Sequence, residues 1–450
     1  MSRHDPLLHQ LIGAEFLSKR RSALLADAPR VGKTGAAIIA SDYVQADRIL
    51  VVTTASGRPV WSRGFDDWSV FRRKTAVLYK GGLTKEHLTA DRLIVGWPAL
   101  SAVHKTLAAE QWDVGIFDES HYAKSTEAKR TQALYGVFDG DHRNNHHAIS
   151  DACAIRWPLT GTPIPNAPND LFPMMRALCP ERLTTKHGEF DVSSYKDFLA
   201  RYCHVRKKAI SRWTKIDVIV GGKNLPELNA RLKGFWLRRT QADVGITSPI
   251  YDLLPVHITD AQRRRIEADI EGAEDILAAA ETGETKSLDM HLGTLRRATG
   301  SVKAAGVIQA VKDEFESGLD KIVIMCWHKD AMDQIQAGLS SYGVVRVDGG
   351  TTPTKRDAAQ QAFQTDRKCR VFVGQIIACG EAIDLSAAAE LIFAESSFVP
   401  KDMAQAALRI TNHGQRRQPR VRVAALEGSI DEALQSILTR KVKTITETMK

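Results

Sequence analysis

LLADAPRVGKTGAAIIASDYV, residues 24–44, runs from an apolar segment through a short loop into Gly32-Lys33-Thr34, after which apolar residues return at helical spacing. Apolar segment, loop, G-K-T and helix is the order that phosphate chemistry asks for. Backbone N–H groups at a helix N-terminus point at phosphate oxygens, the lysine neutralises their charge, and the hydroxyl that follows reaches a bound Mg²⁺. Gly32, Lys33 and Thr34 are therefore the candidate phosphate residues, and Thr34 is also a candidate metal ligand. The glycine that opens the general G-x-x-x-x-G-K-[ST] pattern is absent, so a second signal has to support the first.

Short β-branched runs follow at intervals: RILVVTTA (48–55), RLIVGW (92–97), DVGIFDE (113–119) and IRWPLTGT (155–162). Longer helical patterns separate them, which is the rhythm of a parallel α/β sheet. The rhythm returns in DKIVIMCWH (320–328), GVVRVDGG (343–350), CRVFVGQ (369–375), ELIFAES (390–396) and RVRVAALE (420–427). The fold class expected is α/β, two parallel-sheet lobes with helical insertions between them, split into residues 1–245 and 246–450. The stretch from Leu171 to Gly318 reads as helices broken by GGKNLP (221–226) and TSPIYDLLP (247–255). It includes a basic helical insertion over about 180–240 and a charged helical pair or linker over about 258–316.

The second signal is Asp118-Glu119-Ser120-His121, directly after the apolar run Val114–Phe117. Two carboxylates at the end of a buried strand can divide the work, Asp118 holding Mg²⁺ and Glu119 polarising the attacking water. Lying between matching strands downstream of the G-K-T turn, this pair turns an ambiguous loop into a nucleotide-hydrolysis site.

Composition narrows the class. The 450 residues carry 62 Lys and Arg against 53 Asp and Glu, a formal charge of +9, with 43% hydrophobic residues, which is an ordinary globular balance. No run approaches the ~18 apolar residues of a membrane span. Asp5 and Glu15 stand where a signal peptide would be apolar. A cytoplasmic protein with no membrane partner is expected. Six well-separated cysteines without a C-x-x-C pair point to buried, reduced thiols rather than a metal or redox centre. His142, His146 and His147 lack partners at ligand spacing and read as a polar loop.

Taken in order, these motifs resemble the helicase superfamily 2 ATPases, and within them the Swi/Snf-type DNA translocases, along nearly the whole chain. Asp118–His121 is similar to the family's D-E-x-H box, and LTGTPIPN (159–166) to its L-T-G-T-P-I-x-N motif. HQLIGAEFL (9–17) resembles the adenine-contacting Gln region, LPELNARLKGFWLRRTQADV (225–244) the link between lobes in the annealing-helicase branch, and QAALRITNHGQ (405–415) the Q-x-x-x-R-x-x-R-x-G-Q element. GEAIDL (380–385) is a looser match.

The resemblance implies two RecA-like lobes, ATP and Mg²⁺ as cofactors, and double-stranded or branched DNA as the partner. It assigns ATP binding to Gln10, Gly32, Lys33, Thr34 and Asp384, and catalysis to Lys33, Asp118, Glu119 and Arg409. Coupling falls to His121, Thr160, Gly161, Thr162 and Gln405, with Thr34 and Asp118 on Mg²⁺. Two departures stand out: the motif's second arginine is Asn412, and Arg30 replaces a glycine in the phosphate loop.

Between Lys196 and Thr240 lie twelve Lys and Arg against three acids, an excess equal to the net charge of the whole chain. Arg206, Lys207 and Lys208, with Tyr202, Trp213 and Trp236 interleaved, suit contact with a phosphate backbone. Together with Trp327 after a second-lobe strand, they are the candidate DNA contacts. Three functions stay open at this point: a duplex-stimulated DNA motor, an RNA helicase of the same superfamily, and an ATP-gated DNA-binding protein whose hydrolysis has weakened through Asn412.

Overall fold

The computed structural model describes residues 5–448 except 140–141, 146, 162, 164–166, 210–214, 263, 265–276, 279–280, 282–288 and 380–382. The chain divides into two compact units, one of residues 1–28 and 32–239, the other of residues 29–31 and 240–450. The division falls six residues before the expected boundary at 245.

In the first unit the strands are β1 (Leu24–Leu25), β2 (Ile49–Thr53), β3 (Thr75–Leu78), β4 (Arg92–Gly96), β5 (Trp112–Asp118), β6 (Val137–Asp139), β7 (His142–Asn144), β8 (Cys153–Leu159), β9 (Cys203–Ala209), β10 (Lys215–Gly222) and β11 (Trp236–Leu237). Seven of them form one sheet in the order β11-β1-β8-β5-β2-β4-β3, every pairing parallel. Strand β2 shows why its sequence is an unbroken apolar run. Leu50 and Val52 enter one hydrophobic cluster while Ile49 and Val51 enter another, so helices cover both faces and no position faces water. Strand β3 escaped the sequence reading because it is a four-residue edge strand with three half-buried positions.

The second unit holds β12 (Ile250–Val256), β13 (Ile322–Cys326), β14 (Val344–Val347), β15 (Val371–Gln375), β16 (Glu390–Phe393) and β17 (Arg420–Leu426), all parallel, in the order β12-β17-β16-β13-β15-β14. Here too alternate residues of one strand serve two cores. Val323 and Met325 pack on one side, and Ile322, Ile324 and Cys326 on the other.

Three expectations are corrected. TSPIYDLLP, taken as a break between helices, contains strand β12; Pro255 is tolerated because β12 is an edge strand, where a missing ladder donor costs little. The basic insertion is not all helical. Between the helices Tyr195–Tyr202 and Leu225–Leu232 it forms an antiparallel hairpin of β9 and β10, with Arg206 opposite Val218. The β-branched residues of KIDVIVGG, four in eight, favour a strand, and pairing with it overrides the helical reading of the charge run in CHVRKKA. Finally, the helix Asp289–Glu316 is no exposed linker. Ala304, Val307, Val311 and Phe315 recur at three- and four-residue spacing and lie buried against the second sheet.

All six cysteines are free and buried, and burial raises the pKa of every thiol. Among the described residues no helix is long and apolar enough to cross a membrane.

Candidate nucleotide site

Strands β1, β8, β5 and β2 are consecutive neighbours in the first sheet. Asp27, Thr160, Asp118 and Thr53 lie at or just beyond their carboxyl ends. Ligands of open parallel sheets bind in the crevice at these ends, because the strand-to-helix loops collect there.

The loop after β1 enters the 11-residue helix Lys33–Tyr43 through Gly32 in a left-handed conformation (φ 97°). The positive φ requires glycine, and a Cβ there, 2.6 Å from Gln10 Nε2, would also push the Gln10 side chain aside. Arg30, also left-handed at φ 73°, takes the conformation that a glycine adopts freely, which accounts for the usual residue there. Lys33 Nζ donates to the Asp27 carbonyl at 2.9 Å and curls over the loop. Gln10 is buried, donates to the Gly32 carbonyl at 3.4 Å and accepts from the Leu7 N–H at 2.9 Å. Thr34 lies half-buried in the first turn of the helix.

Asp27 and Arg239 were not singled out by the sequence reading, yet they brace this loop. The guanidinium donates through Nε to Oδ1 at 3.0 Å and through Nη2 to Oδ2 at 2.5 Å, and also bonds the His9 carbonyl. Asp27 is 1% exposed, so the forked pair supplies the compensation that a buried carboxylate needs.

Asp118 Oδ2 accepts two hydrogen bonds, from Thr53 Oγ1 at 2.8 Å and from Trp61 Nε1 at 2.8 Å. Its Oδ1 accepts from the Glu119 N–H at 3.0 Å. Burial, then the charge of Glu119, raises its pKa, while the Trp61 and Thr53 donors and Lys33 oppose the rise. Two adjacent carboxylates, one with an oriented oxygen, are hard oxygen donors that suit a divalent cation. Glu119 itself is left-handed at φ 51°, a conformation uncommon outside glycine. The His121 Nδ1 lies 3.2 Å from Glu119 Oε2 and 3.0 Å from Thr160 Oγ1. Thr160 is 1% exposed, and its N–H donates to the Leu25 carbonyl on β1 at 3.2 Å. A polar chain thus links Glu119 through His121 to the ends of β8 and β1. Gly161 follows half-buried, and Thr162 falls outside the described residues.

In the second unit, Arg409 lies 9% exposed in the turn Leu408–Ile410 after the helix Pro400–Ala407, which carries half-buried Gln405. The Arg409 carbonyl accepts from the Leu385 N–H at 3.0 Å. Asp384 Oδ1 accepts from Ser386 Oγ at 2.7 Å, and Asn412 Nδ2 donates to the same hydroxyl at 3.2 Å. Gln415 Nε2 donates to the Ser386 carbonyl at 2.9 Å. Asp384, Arg409 and Asn412 therefore meet in one braced corner, with Ser386 as the unforeseen hub.

Of the candidate DNA contacts, Arg206 and Lys207 are exposed on β9, while nothing is described of the Lys208 side chain. Trp213 lies outside the described residues, and Tyr202 is fully buried with its hydroxyl donating to Glu227 at 2.9 Å, so it stacks on no base. Nor is all the basic excess on the surface. Arg231 is fully buried, donating to the carbonyls of Arg182, Thr184 and Phe190, and Arg201 pairs with Glu227 at 2.6 Å. Trp327 is half-buried beneath the Arg296 guanidinium, 4.1 Å from its centroid, and its N–H donates to buried Glu395 at 2.9 Å.

Residues 9–299 match the SNF2-related domain, and residues 306–414 the helicase conserved C-terminal domain. The chain is 25% identical over 456 residues to the human DNA annealing helicase and endonuclease ZRANB3, covering 97% of this chain and 40% of that protein. To the Xenopus tropicalis SWI/SNF-related matrix-associated actin-dependent regulator of chromatin subfamily A-like protein 1 it is 26% identical, covering 96% and 44%. The chain thus spans about two fifths of the length of these relatives. The Sulfolobus solfataricus SWI2/SNF2 ATPase core in complex with dsDNA aligns over 99% of this chain and 95% of that one, at 20% identity and a TM-score of 0.44.

Proposed function

Since the chain belongs to the SNF2-related domain family, with a helicase conserved C-terminal domain after it, we propose that it is an ATP-driven motor on duplex or branched DNA. It acts in repair, recombination or replication. The observation that carries this reading is the convergence of the Lys33 loop, Asp118, Glu119 and Thr160 at neighbouring strand ends, with His121 joining the last two.

Lys33 and the N–H groups of the first helical turn take the phosphate charge of ATP, and Gln10 serves the base. Thr34 and Asp118 hold Mg²⁺, which when bound supplies Lewis-acid neutralisation of the phosphoryl oxygens. Thr53 and Trp61 orient the Asp118 carboxylate. Glu119 accepts the proton of the attacking water, and His121 and Thr160 pass its state to the motif that begins at Leu159. Arg409 has the arginine-finger role and Asp384 a part in nucleotide binding. Arg206 and Lys207 contribute salt-sensitive contacts to the DNA backbone. A cytoplasmic site of action suits six free cysteines, since a reducing compartment keeps thiols unpaired.

Steady-state ATP hydrolysis without nucleic acid and with duplex, forked or single-stranded DNA or RNA tests the proposal, with Glu119→Gln as the blank. Duplex or forked DNA stimulates turnover, and the mutant abolishes it. Stimulation by RNA alone would make the chain an RNA helicase. ATP-tightened DNA binding without turnover would make it an ATP-gated DNA-binding protein.

A further inference from the structure

Away from the strand ends that carry Asp118 and Thr160, the first unit holds a cavity of about 400 Å³ beside the residues that precede β1 and β11. Four arginines are among the residues that line it, Arg20, Arg21, Arg156 and Arg182, against one acid, Glu181. That carboxylate is 56% exposed and 3.8 Å from Arg182, so water screens most of what it offsets.

Backbone carbonyls hold three of the arginines. Arg20 Nε donates to the Gly234 carbonyl at 2.9 Å, Arg21 Nε to the Ala154 carbonyl at 3.1 Å, and Arg182 Nη1 to the Arg231 and Lys233 carbonyls at 2.7 and 2.8 Å. Such acceptors fix a guanidinium in place and leave its charge intact. Arg156, bridged through its backbone to Ser22, is 18% exposed, and its Nε is buried with no hydrogen-bond partner among the described residues. Its nearest acid, Asp151, lies 3.9 Å away and is engaged by Arg143 at 2.9 Å. Burial lowers the Arg156 pKa, Asp151 opposes the shift, and Arg21 adds to it. Four arginines beside the exposed Glu181 and the shared Asp151 leave an excess of positive charge, which an anion in the cavity would offset.

We infer that this cavity is a phosphate-binding site separate from the Lys33 loop. Guanidinium forks match the paired oxygens of a phosphate, and the volume exceeds that of a bare phosphate, so a phosphate ester or diphosphate fits. The shared chemistry has two sources, a free phosphate compound or the backbone of a nucleic acid.

The test uses the full chain carrying Lys33→Ala, which disables the known type of phosphate site, at ionic strength fixed with sodium chloride. Pyrophosphate binding is followed by calorimetry and thermal shift, and binding of a short DNA duplex by fluorescence anisotropy. Adding Arg21→Gln and Arg156→Gln weakens binding of the true occupant at least about tenfold, the loss expected for a charged hydrogen bond. Arg21→Gln alone, at an exposed position, gives the same direction if the double change impairs folding. Arg72→Gln removes the same charge from another exposed position and leaves binding unchanged. Loss of pyrophosphate binding identifies a free phosphate compound as the source, and loss confined to the duplex identifies nucleic-acid phosphate. Arg21→Gln and Arg72→Gln proteins that bind both probes as tightly as the Lys33→Ala parent would overturn the inference.

Discussion

Thr53→Val isolates the orientation of Asp118, the carboxylate proposed to hold Mg²⁺. Thr53 is 0% exposed, and its hydroxyl provides one of two 2.8 Å hydrogen bonds to Asp118 Oδ2. Valine keeps the shape and removes only that donor. A hydrogen bond to a charged group is worth roughly 1.5–3 kcal/mol. At about 1.4 kcal/mol per tenfold, the full loss corresponds to about a 10- to 100-fold drop in kcat/KM for ATP. Because the lost donor orients the proposed metal ligand, the Mg²⁺ concentration for half-maximal activity rises as well, a change that a merely loosened core would not produce. Trp61→Phe acts in the same direction, and the double mutant loses less than the product of the two single losses, since both donors converge on one oxygen. The assay is steady-state ATP hydrolysis over a Mg²⁺ titration, with melting temperature measured in parallel. Wild-type turnover and Mg²⁺ dependence in the folded Thr53→Val protein would refute the assignment of Asp118 to the metal.

Other perturbations reach the second unit, the basic hairpin and the Ser386 corner. Lys303→Met leaves Asp431, 1% exposed and now paired at 2.7 Å, as a buried uncompensated charge; chemical denaturation of the second unit shows a loss of about 3–5 kcal/mol. Arg206→Ala and Lys207→Ala each lower the slope of log DNA affinity against log salt by about 1, and binding isotherms at several salt concentrations that keep the slope would remove the hairpin from the DNA surface. Asn412→Arg breaks the bond to Ser386 and restores the missing arginine; turnover rises sharply if hydrolysis is limited by that position and is unchanged if Arg409 suffices.

The sequence reveals most where one force dominates. Runs such as ILVVT and IVIMC are buried on both faces, so their apolar continuity announces a covered parallel strand. The edge strands β3 and β12 bury less, and their signal sinks beneath that of nearby turns and prolines. In the same way, Gly32-Lys33-Thr34 and Asp118-Glu119 are contiguous and therefore legible. Thr53, Trp61 and Arg239 become site residues only when the sheet brings β2, β5 and β11 into register around the loop. A hydroxyl at the carboxyl end of a buried strand was a usable sign for Thr53, whereas nothing local marks Trp61. The charge run 206–208 shows the opposite error. Charge described the surface but not the backbone, and β-branched neighbours chose a hairpin.

The central claim is that ATP hydrolysis drives movement along duplex DNA. The most direct measurement is release of a third strand from a triplex placed ahead of a duplex loading site, with ATP, with a non-hydrolysable analogue, and with Glu119→Gln. Third-strand release is expected with ATP in the wild-type chain alone. Tight DNA retention in ATP without any release would contradict it and would identify a nucleotide-gated clamp built on the same fold.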